Sequence, residues 1–359
     1  MNPFDALATA PRRRQLLAGA AWLTGGLVLS WPAGAQAATR RETRWLFGSP
    51  CEVLVSGDVA PALAWQLLAS INERWNAWKP GGLAGLNRAL REGRTVRVDA
   101  PLRQVLQRAA RLETASGGLF NPAIGALVRD WGFHADQLLP GPAPSAAQRA
   151  RWLHRRPSLA QLVWQGERVH SDNPLLQIDL GAYAKGVAAD LALDRLLAAG
   201  AQGAVVNLGG NLAAGGLVGG PTGGRAWQVG IRDPLARDGS GLMAGLATQG
   251  REAVITSGVY ERQRPVDGRW LSHLIDPATG APAQGLLSTT VVHRDAALAD
   301  AAATALLVAG ARRWPAVAAS LGVDQVLVVH DNGLAQVTPR LAARLQRQPG
   351  WAGTWQPVT

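Results

Sequence analysis

An α+β fold follows from three features of the sequence. The second half carries short apolar runs separated by polar turns, the helical stretches are unevenly spaced, and the chain is long enough for a substantial core. Strand and helix do not alternate in units of constant length, as a doubly wound sheet would require. Largely antiparallel, mixed sheets are the expectation.

Residues 1–37 read as a targeting segment. Arg13-Arg14-Gln15-Leu16-Leu17 leads into an apolar run, and Ala35-Gln36-Ala37 has the small residues of a cleavage site. The pattern resembles a twin-arginine signal, so residues 38–359 are expected to be the mature, periplasmic chain. A permanent anchor at 18–31 is the alternative, but that run is short for a membrane span. Cys51 is the only cysteine, so no intrachain disulfide forms even in an oxidising compartment.

Residues 44–55 predict a first strand interrupted at Gly48-Ser49-Pro50. Over 61–78, Leu63, Leu67, Ile71, Trp75 and Trp78 recur at helical spacing, and Lys79-Pro80-Gly81-Gly82 ends the helix. A second helix covers 101–116 and stops at Gly117-Gly118, before the turn Leu119-Phe120-Asn121-Pro122. Residues 135–157 are rich in Pro, Ala and Arg and predict a solvated helical excursion carrying Arg149, Arg151, Arg155 and Arg156, with a functional basic patch as the alternative.

The organising stretch is 175–216. An apolar run at 175–178 ends in Asp179, a small-residue turn follows, and Val187, Leu191, Leu196 and Leu197 recur at helical spacing as far as Gly200. This predicts strand, loop and helix. A second strand at 204–208 empties into Gly209, Gly210, Gly215 and Gly216, where absent side chains would let a ligand approach the backbone. Further strands are expected at 227–231, 253–256, 271–275 and 325–329, with a turn at Asp276-Pro277-Ala278-Thr279-Gly280. The last clear helix spans 298–308.

Composition narrows the function. The net charge of +11 suits phosphate-bearing or acidic partners, yet the arginines are scattered and no basic run is interleaved with aromatics, which argues against nucleic acid. The six histidines lie far apart, and there is no Gly-x-Ser-x-Gly or Walker-type loop. Zinc enzymes of the usual kind, elbow-type serine hydrolases and P-loop ATPases are thereby excluded.

Two pairs of residues stand out. Asp179 and Lys185 flank the turn into the helix, a place suited to a charged ligand, and Lys79 and Lys185 are the only lysines in a chain otherwise reliant on arginine. A solvated lysine on a first turn is the plain alternative. Asp300 and Thr304 lie one turn apart on the last helix. They offer either a helix-start carboxylate or two hard oxygen ligands for magnesium or calcium.

Taken in order, the motifs resemble the ApbE-type FAD:protein FMN transferases. They are Phe47-Gly48-Ser49, residues 72–87, Gly118-Leu119-Phe120-Asn121-Pro122, Trp131-Gly132-Phe133, Ile178-Asp179-Leu180-Gly181-Ala182-Tyr183-Ala184-Lys185-Gly186, Asn207-Leu208-Gly209-Gly210, Thr256-Ser257-Gly258, His273-Leu274-Ile275-Asp276-Pro277 and residues 299–304. The resemblance implies a two-part α+β fold with FAD bound between the parts. A threonine or serine hydroxyl of a target protein attacks the FMN phosphorus, and AMP leaves.

By the same resemblance FAD contacts Asp179, Lys185, Leu119, Phe120, Asn121 and Trp78, with Leu274 or Ile275 lining the flavin. The resemblance also implies magnesium held by Asp300, Thr304 and the Ala182 carbonyl, with Lys185 sharing in charge neutralisation; His273 is the candidate general base, a strand-end histidine hydrogen-bonded to backbone being the plain alternative. The acceptor implied is a respiratory electron-transfer subunit. A magnesium-dependent FAD pyrophosphatase and a non-catalytic periplasmic flavin-binding protein are the alternative readings. Phe47, Gly82, Asn121, Val259 and Ala303 depart from the usual pattern, the last three replacing acidic residues whose loss bears on metal binding.

Overall fold

The computed structural model describes residues 27–29, 39–236 and 241–358. The targeting segment lies outside these residues apart from Leu27–Leu29, whose backbone pairs antiparallel with residues 229–231.

A nine-stranded sheet carries the fold, and its strands follow one another across the sheet in chain order. They are Thr39–Leu46, Ser49–Ser56, Gly203–Leu208, Asn211–Gly216, Glu252–Gly258, Leu286–His293, Val326–His330, Leu334–Val337 and Thr354–Pro357. Neighbours are antiparallel except for the last pair. The Gly203–Leu208 strand is buried at every residue, as its uninterrupted apolar run requires of a strand covered on both faces. Helices Ala184–Ala198 and Ala296–Leu321 pack together on this sheet. A four-stranded sheet, containing Gln228–Arg232 and Leu242–Ala247, joins the same core through Val229, Ile231, Met243 and Leu246.

Between the second and third strands of the large sheet the chain makes a mostly helical excursion. It contains the helices Ala62–Arg74, Gly82–Arg91, Ala100–Ala115, Gly125–Asp130 and Ala146–Arg155. Asp99 caps the third of these, accepting from Leu102 N–H at 2.9 Å, and Ser145 with Gln148 forms a capping box on the fifth. The expected α+β class and its largely antiparallel sheets are what the structure shows.

Several elements differ from expectation for identifiable reasons. The interrupted first strand is a hairpin: Phe47 and Gly48 both take positive φ, at 52° and 71°, so the chain reverses instead of continuing. The helix expected over 61–78 ends earlier, at Arg74, and the turn at 79–82 starts a further helix, Gly82–Arg91. Residues 175–178 are not a sheet strand. They run extended against residues 122–125 through Gln177 N–H to Ala123 O (3.2 Å) and Gly125 N–H to Gln177 O (2.8 Å).

Gly215 and Gly216 belong to a buried strand, and their bareness serves packing rather than a ligand. A Cβ on Gly215 would lie 2.9 Å from Leu197, and one on Gly216 would lie 2.2 Å from the Gln202 carbonyl oxygen. The last helix runs on well past Val308, with a break at Gly310, where φ is 71°.

Candidate active site

The site forms where two helices cross near their N-termini. The backbone N–H of Gly186, in the first turn of the Ala184–Ala198 helix, would be left without a helical acceptor; it donates to Asp300 Oδ2 at 2.8 Å. In return Asp190 Oδ2 accepts from Ala296 N–H at 2.8 Å and Ala297 N–H at 3.2 Å. Each helix therefore supplies the carboxylate that caps the other. Gly186 permits the close approach, since a Cβ there would stand 2.4 Å from the Ala296 carbonyl oxygen and 2.7 Å from Asp300 Cβ.

Asp300 is almost fully buried. Burial pushes its carboxyl up to about 6, and the positive charge of Lys185 and the Gly186 hydrogen bond oppose that rise. One turn on, Thr304 Oγ1 lies 3.4 Å from Ser257 Oγ. A buried carboxylate beside two hydroxyls is an all-oxygen donor set, which fits magnesium better than a soft metal. No group of three or more His, Cys, Asp or Glu that could hold a metal occurs among the described residues. An ion here would rely on hydroxyl, carbonyl and phosphate oxygens as well, as magnesium at nucleotide sites does.

The turn holding Ala182 is fixed from behind. Asn87 grips Ile178 at both ends, donating to its carbonyl at 2.8 Å and accepting from its N–H at 2.7 Å. Asp179 N–H donates to Pro122 O at 2.8 Å, tying this turn to the Leu119–Asn121 segment. The Asp179 carboxylate accepts from Gly181 N–H at 2.9 Å and faces Arg262; desolvation raises its pKa, and those two contacts oppose it. Lys185 is half-buried and has no carboxylate within ion-pair distance among the described residues. Its charge is felt at both Asp300 and His273.

His273 forms another wall. Its Nδ1 lies 3.2 Å from the Arg262 carbonyl, and a carbonyl can only accept, so Nδ1 carries the hydrogen and Nε2 keeps its lone pair. Desolvation, together with the charges of Arg262 and Lys185, lowers its pKa to about 3 against the opposing backbone hydrogen bond. The ring is therefore neutral at pH 7. Phe133 meets it edge-on at 6.4 Å, and the neighbouring His134 packs on Trp78 at 5.7 Å.

The structure thus brings Asp179, Lys185, His273, Asp300 and Thr304 into one neighbourhood, with Trp78 alongside. Other candidates are committed to packing. Phe120 is buried against Tyr183 at 5.7 Å, and Leu119, Leu274 and Ile275 are buried too. The Asn121 amide is used at both ends, donating to Pro157 O at 2.9 Å and accepting from Ala123 N–H at 2.8 Å.

Sequence reasoning gave no role to Ser257, Asn87 or Arg262. The polar run Tyr260-Glu261-Arg262, following Thr256-Ser257-Gly258, was the available signal. A separate cavity of about 450 Å³, lined by Asp58, Leu63, Ala199 and Gln202, sits at the other end of the Ala184–Ala198 helix. At about 1.5 Å per residue that places it some ~20 Å from Lys185, so it is no part of this site.

Comparison with known proteins identifies the family. The ApbE family model matches residues 47–327. An FAD:protein FMN transferase of Rhodobacter capsulatus is 41% identical over 99% of this chain, which spans 66% of that protein's length. One of Treponema pallidum is 37% identical over 70% of this chain and 71% of its own. The crystal structure of the ApbE protein of Thermotoga maritima superposes with a TM-score of 0.76 at 25% identity, covering 86% of this chain and all of that one. The apo flavinyl transferase ApbE of Pseudomonas stutzeri gives 0.72 at 25% identity, with coverages of 85% and 96%. The chain belongs to the ApbE family.

Proposed function

We propose that this chain transfers FMN from FAD to a threonine or serine hydroxyl of a target protein, with AMP as the other product, and that it does so in the periplasm with magnesium. The observation that carries the reading is the pairing of a neutral His273, its Nδ1 held by the Arg262 carbonyl, with the oxygen cluster of buried Asp300 and Thr304 and half-buried Ser257, both under the charge of Lys185, which has no ion-pair partner among the described residues.

Asp300, Thr304 and the Ala182 carbonyl would hold magnesium, which when bound neutralises charge on the pyrophosphate oxygens. Lys185 adds a fixed positive charge on the same side. Asp179, with Trp78 and the 119–121 segment, positions FAD. Since the Phe120 and Asn121 side chains are already engaged, that segment contributes mainly backbone and shape. Leu274 and Ile275 supply the apolar support behind the flavin.

His273 Nε2 takes the proton from the acceptor hydroxyl, whose oxygen forms the new bond to the FMN phosphorus. The bond from that phosphorus to the bridging oxygen breaks, and AMP departs with the electron pair. A base held at about 3 is weak; desolvation is the chief cause, and the negative pyrophosphate of bound FAD would offset the smaller contributions of Arg262 and Lys185 and move the ring upward.

The acceptor is a periplasmic or membrane-anchored subunit of a respiratory complex, and residues 1–37 direct export. The test is AMP formed from FAD, with magnesium, in the presence and absence of an acceptor protein bearing an exposed threonine. Formation only with acceptor, together with a covalent FMN mass on it, is the expected result. Equal formation without acceptor would instead indicate hydrolysis.

A further inference from the structure

We propose that helix Ala146–Arg155, together with Arg156, is the docking surface for an acidic segment of the acceptor protein; this rests on the transferase reading above. Arg151, Arg155 and Arg156 are exposed and Arg149 is half-buried. None of the four has a carboxylate within ion-pair distance among the described residues. Between Asp136 and Glu167 the sequence contains no acidic residue at all. Elsewhere the fold does provide partners, as in Arg344 with Glu252 and Arg251 with Asp190. Arg155 in the last turn and Arg156, whose Nε donates to the Leu153 carbonyl at 3.1 Å, also serve the helix C-terminus, whereas Arg151 lies one turn before Arg155 and repels it with no acid between them.

Position selects the partner. Trp152, on the inner face of this helix, is buried in the cluster that holds Phe133 and Ile275, and Phe133 touches His273. Just beyond the helix, Pro157 accepts from Asn121. The basic face is thus mounted on the supports of the reaction site. A protein presenting a threonine to His273 must lay its flanking residues on what surrounds that site, whereas a membrane surface needs no such proximity. Opposite charge there would steer the encounter and hold the segment in register.

The mature chain, loaded with FAD and magnesium, is titrated into a short fluorescein-labelled peptide with a central threonine flanked by aspartate and glutamate. A control peptide carries glutamine in their place. The variant R149Q/R151Q/R155Q/R156Q is expected to bind the acidic peptide roughly tenfold more weakly at low salt, with the gap closing as salt rises. The control peptide should show no difference, and lysine at all four positions should retain binding. FAD affinity and any acceptor-free AMP formation should be unchanged.

Equal peptide binding by variant and wild type, or no binding by wild type, would overturn the proposal. So would a loss of FAD affinity, which would make the patch a nucleotide site, or a loss confined to phosphatidylglycerol vesicles, which would make it a membrane contact. Failure of the wild type to form AMP with any acceptor would count against the transferase reading and is read separately from peptide binding.

Discussion

Two side chains carry most of the chemistry in the proposed reaction, and each makes a separate prediction. His273→Ala removes the base but no fold contact beyond one carbonyl hydrogen bond and an edge-on ring, so FAD affinity should persist while transfer slows by roughly 10²–10⁴-fold. Because the free imidazole is lowered to about 3, the acid limb of kcat/KM owed to it should fall below pH 5, and that of kcat should lie higher, where bound FAD raises it. Coincident limbs near pH 6.5 in both profiles would contradict this.

Asp300 works in the opposite sense. Its folded value, about 6, lies above the ordinary 3.8, so between these the folded state holds more protons than the unfolded one and the metal-free protein loses stability as pH rises. The cost of holding the ion at pH 7 is roughly 3 kcal/mol. Magnesium should therefore raise the unfolding temperature markedly more at pH 7 than at pH 5, and D300N should abolish that difference. Lys185 and Asp300 were legible from their residue types and spacing. Arg262 and Ser257 were not, because they act through tertiary placement that local pattern does not encode.

The crossing of the two helices makes a prediction of its own. In a helix interior alanine is favoured over glycine by about 1 kcal/mol, yet at position 186 the added carbon would meet backbone, which cannot swing aside. Overpacking of that kind costs about 1–3 kcal/mol, so the clash outweighs the propensity. Gly186→Ala should lower the unfolding temperature and weaken magnesium dependence together, since the shift pulls Asp300 away from its donor. Thermal unfolding and magnesium titration of the same sample check it, and a stabilised variant with intact magnesium response would refute it. The helix and its lysine were readable from the apolar spacing. The absence of a strand at 175–178 was not, because the groups that hold it extended, Asn87 and residues 122–123, come from distant parts of the chain.

At the scale of the whole molecule, the α+β class was legible because polar turns separate most of the later strands and the helices, such as Ala296–Leu321, are unevenly spaced among them. The order of the nine strands was not, since pairing partners leave no local mark. The proposed export route predicts that replacing Arg13 and Arg14 with lysine leaves unprocessed precursor in the cytoplasm, seen by fractionation and mass. Normal export of that variant would point to the general secretory route.

Strand order also governs how the protein comes together in time. Seven of the eight pairings in the large sheet join strands with no more than 35 residues between them, the longest of these gaps lying between Asn211–Gly216 and Glu252–Gly258, whereas the pairing of Ser49–Ser56 with Gly203–Leu208 spans the entire helical excursion. Closing so long a loop is entropically slow, and Asn87, Asn121, Asp179 and Lys185 all lie inside or at the end of it. Those residues meet Asp300 and His273 only after this late closure. On the proposed reading, the capacity to bind FAD is therefore acquired in the last stage of folding, and nucleotide retention would mark the chains that have completed it.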